Sequence, residues 1–165
     1  MSATRASRVQ LFGVLALLVV MHFYVRPRLW DARISPDFLV LALVLYAMRR
    51  GPGAGAVAGF LVGLTGDALT PARFGASALA HTIVGYLAAW GRAVFFADNL
   101  LVNAGFIAAG VWVRDLVLLV ASGTTRGDLL TELTVYGPLQ ALTTALFGVL
   151  ILLALREWFA IRLDL

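Results

Sequence analysis

The sequence predicts an all-α integral membrane protein with six transmembrane helices in one compact bundle. Apolar residues make up 61% of the 165 positions and charged residues 13%, whereas soluble domains contain about 45–50% and about 25%. The mean hydropathy of +0.92 is too high for a soluble core. The charged residues separate six apolar segments, and no polar stretch is long enough to be a linker. We therefore expect a single membrane domain over residues 1–165.

The first apolar segment, residues 9–25, follows Arg5 and Arg8 and in this respect resembles a signal peptide. No small-residue cleavage site follows it, however, and the Arg-Pro-Arg run 26–28 comes next. We therefore interpret this segment as an uncleaved first span.

The second span, residues 36–48, has a clear start signal. Ser35 suits the N-cap, Pro36 suits the first helical position, and the carboxylate of Asp37 favours the positive end of the helix dipole. At about 1.5 Å per residue the segment reaches about 20 Å, which is less than the hydrocarbon thickness of about 30 Å. The helix therefore either begins in the preceding loop or is a short span inside the bundle.

The third span, residues 52–69, is marked by glycines four residues apart, at Gly51, Gly55, Gly59 and Gly63. Because residues four apart lie on one side of a helix, these glycines form a flat stripe without side chains. Small residues let helix backbones approach closely in lipid, so the stripe is predicted to be a helix-packing face. Asp67 continues the same row, which indicates that this face is buried against other helices and not exposed to lipid.

The remaining three spans are 76–90, 100–121 and 129–155. Gly137-Pro138 predicts a kink in the last of them, because proline removes a backbone N–H donor. The fourth and sixth spans also carry small or polar side chains at a spacing of four residues, which we interpret as helix contacts. These stripes comprise Ser77, His81, Gly85 and Ala89 in the fourth span, and Glu132, Tyr136, Gln140 and Thr144 in the sixth.

The distribution of arginine predicts that both termini are cytoplasmic. Six spans place the two termini on the same side of the membrane, and basic residues are more frequent in cytoplasmic loops. The terminal side holds Arg5, Arg8, Arg49, Arg50, Arg92, Arg156 and Arg162, against Arg26, Arg28, Arg33, Arg73 and Arg126 on the other side. The adjacent pair at 49–50 is the strongest local signal.

The sequence offers no catalytic, cofactor-binding or metal-binding constellation. Nucleophile-elbow, phosphate-loop, dinucleotide and zinc-protease motifs are absent, and without cysteine there is no thiolate ligand or nucleophile. His22 and His81 have no second His or acid at metal-ligand spacing, so each is expected to hydrogen-bond between helices. The net charge of +4 does not indicate nucleic-acid binding, because the basic residues are scattered between apolar spans.

Five ionisable residues fall near the outer ends of the predicted spans, namely Asp67, His81, Arg114, Asp115 and Glu132. Ionisable groups are costly in lipid and usually face the bundle interior. From the helix directions and about 1.5 Å per residue, all five lie within about 10 Å of the outer boundary. We interpret the cluster first as a structural tie between helices. An outer polar crevice that holds a partner or a ligand, and a proton path, are the alternatives.

Arg114 is the fixed cation of this cluster, and it is expected to pair with Asp67, Asp115 or Glu132. Adjacent residues on a helix point about 100° apart, which makes Asp115 the least favoured of the three. Loss of Arg114 is expected to leave a buried carboxylate unpaired.

Several motifs in the first half resemble the rod shape-determining MreD family of bacterial inner-membrane proteins. They comprise Pro36-Asp37-Phe38-Leu39, Arg49-Arg50-Gly51-Pro52, the glycine stripe with Asp67, then Gly75, and the run Ala78-Leu79-Ala80-His81-Thr82-Ile83-Val84-Gly85-Tyr86-Leu87. The length and the six-span layout fit across the whole chain, whereas these motifs cover residues 36–87. The second half resembles the family only in hydropathy, so no residue roles are carried over there.

The resemblance implies a non-enzymatic subunit of the cell-elongation machinery, which determines rod shape and supports peptidoglycan synthesis. Members of the family associate with the bitopic protein MreC and, through it, with the actin-like MreB and the elongation synthases. The expected partners are therefore an MreC-like protein and membrane lipids, with no cofactor and no nucleic acid. A homo-oligomer remains open.

The family fold is similar to the S components of energy-coupling-factor vitamin transporters, so the resemblance implies an S-component-like bundle. The alternative function is therefore a small-molecule-binding subunit of such a transporter. These subunits can carry an Ala-x-x-x-Ala face on the first helix for docking a partner, and residues 10–21 show no such repeat. A channel or proton-coupled transporter is a third class, which rests only on the buried charges.

Overall fold

The computed structural model describes residues 2–29, 31–69, 74–94, 100–121, 123 and 126–160. These residues form six helices and no strand, which confirms the all-α prediction. The helices are α1 (Ser2–Tyr24, followed by a 3₁₀ turn Arg26–Arg28), α2 (Phe38–Ala47), α3 (Pro52–Leu69), α4 (Ala76–Val94), α5 (Leu100–Ala121) and α6, which consists of α-helical Arg126–Thr131, π-helical Glu132–Tyr136 and α-helical Gly137–Ala160.

Four helices in the described part of the chain are long and apolar enough to cross a membrane. Their apolar windows are Leu11–Arg28, Pro52–Leu69, Leu100–Ala121 and Gly127–Ala154. α2, with 10 residues, is shorter, and α4, with 19 residues, is not among the four. The six-span layout, the single domain and the cytoplasmic position of the termini therefore stay predictions.

α2 lies at the centre of the bundle, in contact with α1, α3, α4, α5 and α6. Every residue of this helix is buried except the half-buried Tyr46. A helix that is apolar on all sides is surrounded either by other elements or by lipid, and the contacts of α2 show the former. The structure therefore supports the second of the two interpretations of this span, a short helix inside the bundle.

The predicted cap of α2 is corrected by the structure, since the N-cap is Asp37 and neither Ser35 nor Pro36 is helical. Oδ1 of Asp37 accepts the backbone N–H groups of Leu39 and Val40, each at 3.0 Å. The residue before a proline is disfavoured in helical conformation. The hydroxyl of Ser35 is instead used in the preceding loop, where it donates to the carbonyl of residue 31 at 2.7 Å.

α3 and α4 pack backbone against backbone along the glycine stripe. A Cβ atom added to Gly59 would lie 2.6 Å from the carbonyl carbon of His81, and one added to Gly85 would lie 2.8 Å from the carbonyl carbon of Gly55. A Cβ on Gly63 would meet the backbone of α4 at 2.5 Å. These approaches are closer than side chains allow, so the two helices are in contact only because glycine occupies these positions.

Gly51 does not belong to this contact, and the predicted stripe is corrected to the other three glycines. Gly51 is exposed, and a Cβ added to it would meet nothing within 4 Å. It precedes Pro52, the first residue of α3, so it does not lie on the face of that helix. The interpretation of the facing stripe of α4 as a helix contact is confirmed, since its members lie opposite the three glycines; they are Ser77, His81, Gly85 and Ala89.

α6 contains a π-helical turn directly before the Gly137-Pro138 pair at which the sequence predicted a kink. The N–H of Gly137 bonds to the carbonyl of Glu132, five residues earlier. The carbonyl of Leu133 therefore loses the donor of a regular α-helix, and Pro138 has no N–H to replace it. The indole N–H of Trp112 in α5 donates to this carbonyl at 3.1 Å.

Candidate functional site

Arg114 joins three helices at one end of the bundle. Its guanidinium lies 2.7 Å from a carboxylate oxygen of Asp37, at the start of α2, and 3.1 Å from one of Asp115 in its own helix. It also donates to the side-chain oxygen of Gln140 in α6 at 3.0 Å. Only 12% of the Arg114 side chain is exposed. An ion pair this deeply buried contributes chiefly by fixing the helices relative to one another.

The predicted partners of Arg114 are corrected by this geometry. Of the three predicted carboxylates, the structure brings only Asp115 to Arg114, although it was the least favoured. The long arginine side chain brings its guanidinium to 3.1 Å from the Asp115 carboxylate, so the angle of about 100° between adjacent residues does not keep the two groups apart. The closest partner, Asp37, belongs to a different helix, and the sequence interpretation left it out although it is the second residue of the predicted second span, which begins on the outer side.

Asp37 is the most heavily used carboxylate of the site. Its carboxylate contacts the Arg114 guanidinium and accepts two backbone N–H groups at the start of α2. It also lies 3.4 Å from Nδ1 of His22 in α1. The N–H of Leu39 also donates to this Nδ1 at 3.3 Å, so the expectation that His22 hydrogen-bonds between helices is confirmed. The backbone N–H of Asp37 donates to the hydroxyl of Thr144 in α6 at 2.9 Å. The start of α2 is therefore held from three sides.

Asp67 and His81 lie at the α3–α4 contact, and Asp67 forms no ion pair with Arg114. The two carboxylate oxygens of Asp67 accept the backbone N–H groups of Ser77 and Ala78, at 2.9 and 2.8 Å, so this residue of α3 caps the first turn of α4. Nδ1 of His81 donates to the carbonyl of Ser77 at 2.9 Å. The expected hydrogen bond of His81 to another helix is therefore replaced by one within α4.

Glu132 lies at the exposed edge of the site, where its carboxylate is 3.8 Å from the guanidinium of Arg33. We call these two residues the rim pair. Their side chains are 33% and 56% exposed, respectively. The guanidinium of Arg33 also lies over the ring of Tyr136, 4.8 Å from its centroid.

Two adjoining cavities open between these side chains. The larger cavity, of about 440 Å³, is lined by the rim pair, Asp115, Tyr136 and Gln140, and the smaller cavity, of about 270 Å³, by His22, Asp37, Asp67 and His81. Arg26, Arg114 and Leu118 line both. The structure thus places the five predicted residues around two neighbouring cavities, with Arg114 between them. Their role as a crevice for a partner or ligand stays a prediction.

Asp37, His22, Arg26 and Gln140 also line the two cavities, and the sequence interpretation did not include them in the cluster. Asp37 was assigned to the helix dipole alone, and His22 and Gln140 to ordinary helix contacts. The available signal was depth in the bundle, because all four residues line the same pair of cavities as Arg114.

Fold and site together define an all-helical membrane protein in which charged side chains tie helices together at one end. The model of the rod shape-determining protein MreD family matches residues 6–159, and the chain belongs to this family. The match extends well beyond the motifs at residues 36–87 and identifies a rod-shape-determining membrane protein.

No curated protein and no solved structure matches the chain. The likeness of the fold to S components therefore stays a prediction. The alternative function as a transporter subunit gains no support from the comparisons.

Proposed function

We propose that the chain is a non-enzymatic inner-membrane subunit of the bacterial cell-elongation machinery, and that it binds an MreC-like bitopic partner at the edge of the larger cavity. Membership of the MreD family supports the rod-shape role. Through this partner the chain would act on MreB and the elongation synthases as a scaffold or regulator, with no chemical step of its own.

The contrast between the buried and the exposed charge pairs carries this proposal. The two terminal nitrogens of Arg114 are engaged by Asp37, Asp115 and Gln140, so they link the helices and are not offered to charged side chains of a protein partner. The rim pair is exposed, and its 3.8 Å separation makes it a weak pair. Exposed pairs contribute about 0–1 kcal/mol, so charges of a partner can replace this one at little cost.

The edge of the larger cavity also has the composition of a protein-binding surface. Arg33 and Tyr136 belong to residue types that carry much of the binding energy in protein interfaces, and here they are stacked on each other. The concave surface beside them can accept a side chain of the partner.

The test is affinity purification of the tagged chain from native membranes, with identification of the co-purifying proteins. The wild-type chain is expected to retain an MreC-like protein and elongation synthases. Glu132→Lys reverses one charge of the rim pair and should remove most of the partner. Arg50→Glu is the matched control, because Arg50 is exposed at the opposite end of α2, where it lies over the ring of Tyr46.

Equal retention of the partner by Glu132→Lys and Arg50→Glu would contradict the assigned surface. Co-purification of transporter ATPases in place of elongation proteins would contradict the function itself. Size-exclusion profiles of the detergent-solubilised variants distinguish lost binding from lost folding.

A further inference from the structure

Arg26 is placed at the junction of the two cavities with part of its guanidinium unused. It is the first residue of the 3₁₀ turn that follows α1, and it lines both cavities. One terminal nitrogen donates to the carbonyl of Ala32 at 3.1 Å. Its Nε is buried and has no hydrogen-bond partner. A buried N–H donor without an acceptor is destabilising, so this position favours an acceptor from outside the chain.

Three of the five carboxylates that line the two cavities, Asp37, Asp67 and Asp115, form no ion pair with Arg26. Asp37 and Asp115 both contact Arg114, and Asp37 also lies at the positive end of α2. Asp67 is occupied by two backbone N–H groups of α4. None of these three carboxylates lies within 4.0 Å of the Arg26 guanidinium. The other two arginines of the cavity walls are already paired, Arg33 with Glu132 and Arg114 with Asp37 and Asp115.

Arg114 supplies a second unused donor at the same junction. Its Nε is also buried and without a hydrogen-bond partner, and it lines the same two cavities as Arg26. Two guanidinium groups with free N–H donors at one junction suit an oxyanion with several acceptor oxygens. Phosphate is the group that arginine binds best in this way, because its oxygens match the planar array of donors.

The depth of Arg26 in the bundle indicates where such a phosphate comes from. The apolar window of α1 ends at the 3₁₀ turn, which places Arg26 at the membrane boundary, where lipid headgroups lie. Phe23 and Tyr24, directly before this turn, are exposed and can contact acyl chains. We infer that Arg26, with Arg114, binds the phosphate group of a membrane lipid at the junction of the two cavities.

The test uses the full chain in an uncharged detergent, with bound lipid measured by native mass spectrometry. The probes are phosphatidylglycerol, diacylglycerol with the same acyl chains, and inorganic phosphate. Wild-type protein should retain phosphatidylglycerol at least about tenfold better than diacylglycerol, as expected for charge-assisted hydrogen bonds. Arg26→Gln should lose this preference, and Arg26→Lys should keep part of it.

Arg28→Gln is the matched control and should retain phosphatidylglycerol as the wild type does. Arg28 belongs to the same 3₁₀ turn, but it is exposed, donates to the carbonyl of Tyr24, and lines neither cavity. Displacement of phosphatidylglycerol by millimolar inorganic phosphate supports the phosphate site but assigns it to the free ion.

Equal retention of phosphatidylglycerol and diacylglycerol by the wild-type protein overturns the inference, and this comparison needs no variant to fold. Equal losses in Arg26→Gln and Arg28→Gln overturn it as well. Loss of the MreC-like partner from Arg26→Gln, with lipid retention unchanged, would show that the junction takes a carboxylate of the partner. The inference is independent of the proposed function, because lipid retention is measured without any partner.

Discussion

Replacing Arg114 by glutamine should destabilise the bundle by about 3–5 kcal/mol, the cost of removing one member of a buried ion pair. The change removes contacts of 2.7 Å to Asp37, 3.1 Å to Asp115 and 3.0 Å to Gln140. We expect the lower end of the range, because the carboxylate of Asp37 retains two backbone N–H donors at the start of α2. The remaining loss is the cost of a buried charge without its counter-ion.

The measurement is the free energy of unfolding in mixed micelles, obtained by titration with SDS and followed by tryptophan fluorescence. Arg33→Gln is the control, since it removes a guanidinium that is 56% exposed and 3.8 Å from its partner. That change should cost less than about 1 kcal/mol. The double change Arg114→Gln with Asp37→Asn should recover most of the loss, because asparagine still caps the helix while the unpaired charge is gone.

Two results would refute this reasoning. If Arg114→Gln costs no more than Arg33→Gln, the pair with Asp37 is solvated and contributes little. The single variant Asp37→Asn completes the comparison. If the stability lost by the double variant equals the sum of the losses of Arg114→Gln and Asp37→Asn, the two residues act independently and their contact has no coupling energy.

Three further changes test the packing. Gly59→Leu should lower the melting temperature and the folded yield in detergent, because the side chain would separate α3 from α4, whereas Phe60→Leu on the exposed face should be tolerated; equal effects would contradict close backbone packing. Asp67→Ala should cost about 1–2 kcal/mol in SDS unfolding, since it leaves two N–H groups of α4 without an acceptor, and an unchanged stability would exclude the cap. Trp112→Phe should cost about 1 kcal/mol in the same assay, because it removes the donor to the free carbonyl of the π turn. The same change should cost less in a Pro138→Ala background, which restores an N–H to that turn; equal costs in both backgrounds would contradict this account.

The helices and the packing side of α3 could be predicted because they depend on patterns within single segments. The bounds of α3 and α5 coincide with the predicted 52–69 and 100–121. A glycine at every fourth position defines one side of a helix whatever the helix touches. The start of α2 was predicted at residue 36 instead of Phe38. Ser35 and Asp37 both suit an N-cap, and a contact from α6 favours Asp37, since the hydroxyl of Thr144 accepts the backbone N–H of Asp37.

The contacts of Arg114 could not be predicted in the same way. Position along a helix gives the depth of a residue in the bundle, and depth correctly grouped Arg114 with other ionisable residues at one end. The partner depends on which helices are neighbours. α2 lies inside the bundle, so it brings Asp37 to α5, and no pattern within either segment contains that information.

The α3–α4 contact raises a question of alignment along the helix axes. A smooth stripe that repeats every four residues looks nearly the same after a slide of one repeat, about 6 Å, so glycines alone allow several registers. Asp67 occurs once in this row, and its two bonds to the first turn of α4, at 2.9 and 2.8 Å, form in only one register. The Asp67 carboxylate therefore fixes the axial register of α3 relative to α4. Without it, we expect a pair that stays close but is free to shift by a repeat.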